Sequence, residues 1–506
     1  MSSTAPPPAA SGPVLGTEPY PKRWLALAVI AVTVLMIVLD ATIVNIALPA
    51  VSGDLDISAA NQQWIVTAYT LTFGGLLLLG GRIADFWGRK RTYLVGAVGF
   101  AIASAIGGLA VNEEMLFAAR ALQGAFGALL GPASLALLTV LFTDAAERAK
   151  AFAVYGAIAG GGSAVGLLLG GVLTEYADWR WCFWVNVPVA VFAVLAAIRI
   201  VPESKAPGDA SYDIPGAVLV TVGLASLVYG FTKVAQASQE NPQENAWADG
   251  TALTFIIVGV LLVAAFVVVE FKVRNPLLPM RLVLDRNRGG AYLTSTLVGA
   301  GLIGSFFFLS LYFQEVLGYT PVAAGFASLP TTLGVLIAAG VASALVPRIG
   351  PKPLMVLGGL FAAGGLFLLS FLDVGTGFWA IPFPGQLLLG LGLGFTFVPL
   401  SNLALVGVGA HDAGAASAVL QAVQQIGASI GTALLATLSV GAITTALTEN
   451  PPSAQNPTAG LAAQVEGYTT AFTWAAGLLL LGAVVSAVLI KATKDDLPTD
   501  APVHAG

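Results

Sequence analysis

Residues 80–91 read GGRIADFWGRKR: four cations, one acid and three glycines in twelve positions. Apolar runs flank this stretch at 61–79 and 92–111. Each is about the length an α-helix needs to cross ~30 Å of hydrocarbon. The charged stretch therefore reads as a short connection between two membrane spans. The whole composition agrees with that reading. Of 506 residues, 57% are hydrophobic and 10% charged, whereas a soluble domain carries about 25% charged residues. Two soluble domains of this length would lack the polar surface to stay in solution. The single cysteine, Cys182, excludes an internal disulfide. The two histidines, His411 and His504, lie in or near loops, and no Cys/His cluster has metal-ligand spacing. No metal or organic cofactor is expected. Nucleic acid is not an expected partner; the lipid bilayer is. Residues 1–21, rich in Pro, Ala and Ser, read as a disordered tail without the short apolar core of a signal peptide.

Fourteen apolar runs follow: 24–48, 61–79, 92–111, 115–142, 151–173, 182–201, 214–232, 251–269, 289–313, 323–346, 354–372, 379–408, 413–443 and 469–490. Cytoplasmic loops are enriched in Lys and Arg. Of the 22 such residues, nineteen fall in alternate gaps counted from the N-terminal tail. Only Arg180 and Lys233 fall in the other set, and Arg120 lies inside a run. The asymmetry places both termini in the cytoplasm and supports an even number of spans.

The chain also repeats itself. GALLGPAS at 127–134 and GFTFVPLS at 394–401 share G-x4-P-x-S, 267 residues apart. Gly162 and Gly166 have counterparts in Gly427 and Gly431, offset by 265, and DFWGRKR at 85–91 aligns with PRIGPKP at 347–353, offset by 262. Three matches at nearly one offset predict two six-helix halves with one extra helix pair between them. The expected architecture is an all-α polytopic membrane protein of 14 transmembrane helices. Its parts are a tail (1–21), a first half (22–202), two inserted helices (203–274), a second half (275–492) and a second tail (493–506).

At this point the motifs become specific. GRIADFWGRKR at 81–91 resembles the signature loop of the major facilitator superfamily. LDATIVNIALP at 39–49 and RALQGAFGALLGPAS at 120–134 look like the span-1 and span-4 motifs of its drug:proton antiporters. WRWCFWVNVP at 179–188, with the count of fourteen spans, points to the EmrB/QacA-type multidrug branch. The resemblance implies a major facilitator fold and proton-coupled export of lipophilic, often cationic, small molecules by alternating access. The expected site is a multi-pass protein in the cell membrane, and the expected state a monomer. GAIAGGGSAVGLLLGG at 156–171 is similar to the span-5 antiporter motif through Gly156, Gly162, Gly166, Gly170 and Gly171, with Leu167 where the family has proline.

For the opening loop two readings stand. Its cations fit simple topology anchors. Gly81, Asp85, Gly88, Arg89 and Lys90 also fit the family's gating latch, which would aim Asp85 at the N-terminus of the helix beginning near Ala413, with Arg89 as its partner. Such a contact contributes about 0.3–1 kcal/mol.

Asp40 and Arg120 are the charged residues well inside the runs, and burying either costs several kcal/mol. Counted at 1.5 Å per residue, both lie roughly 12 Å from the same membrane face. They fit proton coupling and, equally in kind, a structural ion pair. Glu270, Glu315 and Lys233 lie at run ends and read as interfacial. Candidates for a substrate cavity are the amides Asn45, Gln123, Asn402, Gln421 and Gln425 and the aromatic residues Tyr69, Phe306 and Phe397. No nucleophile–base pair or phosphate loop is apparent, which argues against an enzyme or an ATP-driven pump. Export of one endogenous lipid or secondary metabolite remains the alternative to drug export; import or uniport is a further one.

Overall fold

The computed structural model describes residues 20–142, 144–205, 213–242, 244–273, 276–278, 280–405, 413–452 and 458–493. Every long element is a helix. We number these α1 (Arg23–Asp54), α2 (Trp64–Trp87), α3 (Arg89–Gly108), α4 (Glu113–Leu141), α5 (Ala145–Tyr176), α6 (Asn186–Ile200), α7 (Ile214–Glu240) and α8 (Gly250–Glu270). The second half supplies α9 (Arg286–Leu311), α10 (Leu329–Ile349), α11 (Pro351–Leu369), α12 (Pro382–Leu405), α13 (Ala413–Glu449) and α14 (Ala459–Leu489). Among the described residues, 13 helices are long and apolar enough to cross a membrane. With α5, a 32-residue helix, they account for the fourteen expected spans.

Two boundaries differ from expectation. The loop read over 80–91 is almost wholly helical: α2 runs to Trp87 and α3 starts at Arg89. One residue, Gly88, makes the break at φ 129, a conformation L side chains avoid. The long connection expected before the last span is shorter, because α14 begins at Ala459 rather than near residue 469. Residues 459–467 are too mixed in polarity to extend an apolar run, yet they continue the helix, with Ala459, Ala463 and Val465 buried against the bundle.

The sequence repeat is a structural repeat. Gly88 and Gly350 both have positive φ, 129 and 81, and each separates the second from the third helix of its half. In the first half Gly162 and Gly166 let α5 close on α1: a Cβ at 166 would lie 1.9 Å from Thr42 Oγ1 and 3.3 Å from Leu39 Cα. In the second half Gly427 and Gly431 do the same for α13 on α9, with Thr296 O and Ala300 Cα 2.0 and 2.3 Å from the Cβ positions. Small residues at such crossings are how membrane helices gain packing without a hydrophobic driving force.

The parity of the connections gives the bundle a cationic end, carrying Gly88 and Gly350, and a far end opposite. At the far end the halves are joined. Ser310 Oγ donates to Asn45 O at 2.5 Å and Gln314 Nε2 to Ile46 O at 2.9 Å. Val322 N donates to Glu175 Oε2 at 2.9 Å. Contacts also cross toward the cationic end, where Tyr155 is hydrogen-bonded to Gln421 and Leu78 packs with Val419.

The inserted pair α7–α8 lies against the seam between halves. Leu71 of α2, Val220, Leu224 and Val228 of α7, Phe266 of α8 and Ala433 of α13 form one buried cluster. Trp64 Nε1 and Gln63 Nε2 both donate to Thr232 Oγ1, at 3.0 and 3.1 Å, and Thr437 Oγ1 donates to Phe231 O at 2.8 Å. The outward side of α8 is apolar and exposed, including Ile257, Val260 and Leu261, which suits a lipid-facing helix.

Candidate functional site

Asp40 and Arg120 meet. Arg120 Nη1 donates to Asp40 Oδ2 at 2.7 Å, and the side chains are 0% and 1% exposed. Equal depth on α1 and α4 was legible from residue counting; the network around the pair was not. Asp40 Oδ1 also accepts from Gln123 Nε2 at 2.7 Å and from Asn186 Nδ2 at 2.8 Å. Gln123 uses its remaining capacity on Arg120 Nη1, 2.9 Å, and Ser104 Oγ, 2.8 Å. Arg120 Nε donates to Ile65 O at 2.8 Å. The guanidinium sits 4.5 Å from the Tyr69 ring centroid and 5.8 Å from that of Phe183. Helices α1, α2, α3, α4 and α6 thus all contribute to one ionic cluster, with Phe183 from the short turn before α6.

The arrangement has a physical logic. A buried ion pair is tolerable only when its remaining lone pairs and protons are satisfied, and here the carboxylate accepts three bonds while the cation faces a carbonyl, an amide and two rings. Asn186 and Ser104 were not singled out from sequence. Asn186 carries a signal, an amide inside the WRWCFWVNVP motif; Ser104 does not stand out among the small residues of α3.

The expected cavity residues separate into groups. Gln123 is consumed by the ionic cluster, and Tyr69 lies under Arg120 and stacks on Phe73. Tyr69 Oη and Asn45 Oδ1 are buried and find no partner among the described residues. Gln421 and Gln425 face the first half: Gln421 bonds Tyr155, and Gln425 Cβ would be 2.8 Å from a Cβ at Gly74. Phe306 and Phe397 are partly buried against the core of the far-end half of the bundle. Asn402 is exposed and is not drawn in with the others.

At the signature loop Arg89 donates to Asp85 Oδ1 through Nη2 at 2.8 Å and Nε at 3.2 Å, a pair that spans the Gly88 break. Gly81 lies within α2, with only Pro132 Cβ, 3.6 Å, near its Cβ position. A residue outside the motif organises the turn. Glu203 accepts from Lys90 N at 3.0 Å and Arg91 N at 3.2 Å, so a carboxylate sits on the N-terminus of α3. Lys90 Nζ donates to Ile198 O at 2.8 Å. Arg82 Nη2 reaches Pro276 O at 3.0 Å, in the segment after the inserted helices. The expected target of Asp85, the start of α13 near Ala413, has side chains outside the described residues, as do the surroundings of Gly156 and His411.

The span-5 glycines divide by face. Gly162, Gly166 and Gly170 meet α1, the last with Ile43 O 2.7 Å from its Cβ position. Gly171 instead meets the second half, at Pro321 O, 2.6 Å. Leu167, in the place of the motif's proline, is buried and α5 continues through it as helix.

Two of the three residues read as interfacial are also covered by protein at their helix ends. Glu270 is 2% exposed: Leu278 N donates to its Oε2 at 2.8 Å, while its Oε1 and Asp213 Oδ2 find no hydrogen-bond partner among the described residues. The connection after α8 folds over it, which an end-of-run position does not reveal. Glu315 is half-buried and accepts from Tyr468 Oη at 2.8 Å. Lys233 pairs with Gln236 and lies over Tyr229, as an interfacial cation does.

A two-fold repeated helical bundle with a buried ionic cluster in one half is the framework of a membrane transporter, and the sequence relatives agree. The chain belongs to the Major Facilitator Superfamily, whose sequence pattern matches residues 30–432. It is 47% identical over 481 residues to the puromycin resistance protein pur8 of Streptomyces alboniger, covering 94% of this chain and 93% of that one. It is 36% identical over 408 residues to the cephamycin export protein CmcT of Amycolatopsis lactamdurans, covering 80% and 82%. In fold it is similar to an inward-facing, unoccupied bacterial homolog of the human lysosomal transporter Spinster, with a TM-score of 0.64 at 15% identity, covering 95% and 99%.

Proposed function

We propose that the protein is a proton-coupled exporter of lipophilic, often cationic, small molecules that works by alternating access, with the cationic end of the bundle and both termini in the cytoplasm. The observation that carries the coupling is the Asp40–Arg120 contact at 2.7 Å inside a fully buried network. Asp40 joins α1 to α4 and, through Asn186, to α6. Protonating Oδ2 removes the acceptor that holds Arg120 Nη1. The cation is then left without its counter-charge in a low-dielectric setting, a loss of about 3–5 kcal/mol. A rearrangement of α1 against α4 that gives Arg120 a new partner relieves that cost, and this links proton uptake to movement of the helices that carry the seam. The glycine stripe of α5, packed directly along α1 at Leu39 and Thr42, gives α1 a smooth surface to move on.

Relatives named for puromycin resistance and cephamycin export support export of a small molecule. They also favour the second reading, because each is named for one compound: a dedicated exporter of a single secondary metabolite.

The test is transport by the purified full-length chain in proteoliposomes with an imposed proton gradient, following a fluorescent lipophilic cation and, separately, puromycin. Gradient-dependent uphill movement by wild type that is lost in Asp40→Asn supports the proposal. Equal transport by both proteins removes Asp40 from coupling. Movement of puromycin alone selects the dedicated exporter, and movement of neither compound overturns the drug-export reading.

A further inference from the structure

A second polar site lies at the far end of the bundle, away from the Asp40 cluster. A cavity of about 400 Å³ opens there between the halves. That lies within the range of small-molecule pockets. Its first-half wall is the end of α1 and the turn into α2, including Ser52, Gly53 and Gln62; its second-half wall comes from α9, α13 and α14.

The cavity's chemistry is one-sided. Glu315 is the one ionisable acid among its lining residues, and no Lys or Arg lines it. Glu315 lies on a π-helical turn, Tyr312–Val316, which ends α9. Such turns are uncommon and recur at functional sites. The wider turn carries the carboxylate to the cavity, where Tyr468 Oη holds it at 2.8 Å. Two further lining groups, Gln464 Oε1 and Ser52 Oγ, are buried and find no partner among the described residues. A buried polar atom left unpaired costs about 1–3 kcal/mol, so a ligand that satisfies both gains what the empty site forgoes. The remaining wall is apolar and aromatic, with Phe308 and Tyr468 ring centroids 5.8 Å apart.

Acceptor oxygens, one negative charge and aromatic faces together complement a cation that has N–H donors and an apolar body. We infer that this cavity is an exit-side binding site for organic ammonium compounds, with Glu315 as counter-charge and Gln464 and Ser52 as additional partners for their N–H groups. The inference rests on the export reading and adds to it a substrate class and a place. Because its walls come from both halves, the site exists in full only while the far ends are joined, and separating them at Ser310–Asn45 and Val322–Glu175 would dismantle it. A compound bound there is released as the outlet opens.

The test uses a thiol at the mouth of the cavity. Gly53 lines it, is exposed, and has nothing within 4 Å of its Cβ position. The native Cys182 is fully buried, so Gly53→Cys provides one reactive thiol in the full-length chain in proteoliposomes. Its labelling by a membrane-impermeant maleimide is followed with 2-phenylethylamine and with the N,N,N-trimethyl analogue, which has the charge but no N–H. The amine is expected to slow labelling. The analogue and the Gly53→Cys/Glu315→Gln double variant should each need about tenfold more compound for half-protection. Glutamine keeps an acceptor for Tyr468, and a thermal unfolding curve checks that the variant is folded. No protection by the amine, or equal protection with and without the Glu315 carboxylate, overturns the inference. Proton-driven transport is measured on the same vesicles: transport without protection rejects the cavity and leaves the export reading intact, whereas protection without transport retains the site and rejects export.

Discussion

The carboxylate of Glu203 occupies the space that a Cβ on Gly88 would need, with Oε1 2.8 Å from that position. The two residues are 115 positions apart in the chain: Gly88 joins the second and third helices of the first half, and Glu203 follows its last helix. Glu203 is there because its oxygens accept from the backbone of Lys90 and Arg91. Gly88 must therefore satisfy two constraints, a left-handed φ of 129 and the close approach of that carboxylate.

A Gly88→Ala variant meets both constraints and is expected to lose stability, about 1–2 kcal/mol from the backbone alone. Gly81→Ala, inside α2 with ordinary van der Waals space, is the matched control and should unfold close to wild type. The measurement is thermal unfolding of the two purified variants in one detergent. Equal midpoints would show that the turn tolerates a side chain.

At the ionic cluster, Arg120→Ala and Asp40→Ala each leave a buried charge without its partner and should each cost about 3–5 kcal/mol. The double variant is expected to cost less than the sum of the singles, since the two share one interaction. A double-mutant cycle on unfolding in lipid nanodiscs reads the coupling. Additive losses would mean that each side chain is held by its other partners and not by the pair.

Closure of the far end should depend on pH through Glu175, which lies in the last turn of α5 beyond its apolar run. The Val322 backbone N–H and then the Thr320 hydroxyl hold its carboxyl below its ordinary value of 4.5. A lowered value means that joining the halves favours the ionised form. The contribution is fully present above the ordinary value and is lost as pH falls through the lowered one. Spin labels at Val111 and Trp379, exposed on opposite halves near this end, are expected to keep their separation while the pH stays above the ordinary value of 4.5 and to move apart only below it. Separation already above about pH 5 would assign the closure to another group.

The two halves predict matched sensitivity of their glycine crossings. Gly431→Ala places a Cβ 2.3 Å from Ala300 Cα, and backbone must shift to admit it. Gly166→Ala meets Thr42 Oγ1 first, a side chain that can rotate, with backbone only at 3.3 Å. Gly431→Ala should therefore reduce the yield of folded protein more than Gly166→Ala, and Gly477→Ala, with nothing within 4 Å, should leave it unchanged. Size-exclusion profiles of the three variants give the ranking.

Much was written along the chain. Hydropathy alone set the class, because a run of about twenty apolar residues has few homes other than a bilayer. The repeat was legible because glycines at close crossings are irreplaceable: Gly88 and Gly350, and Gly166 and Gly431, occupy equivalent places in the two halves. Counting residues along two helices of fixed rise also put Asp40 and Arg120 at one depth, though not in contact.

What the sequence could not supply was anything that depends on which helix face turns to which neighbour. Asn186 and Ser104 join Asp40 only because α3 and α6 pack beside α1 and α4, and Gln123 leaves the cavity for the same reason. Glu270 and Glu315 stand at the ends of apolar runs, where hydropathy places them in the interface; that Leu278 covers Glu270 and that the π turn at 312–316 half-buries Glu315 is decided by the fold. The position of the inserted pair against α2 and α13 is likewise a matter of side-to-side packing. Periodicity and charge fix each helix against the membrane, a solvent with one direction. Neighbour choice among helices that are all apolar is decided by small residues and a few hydrogen bonds, and these act only once the bundle is assembled.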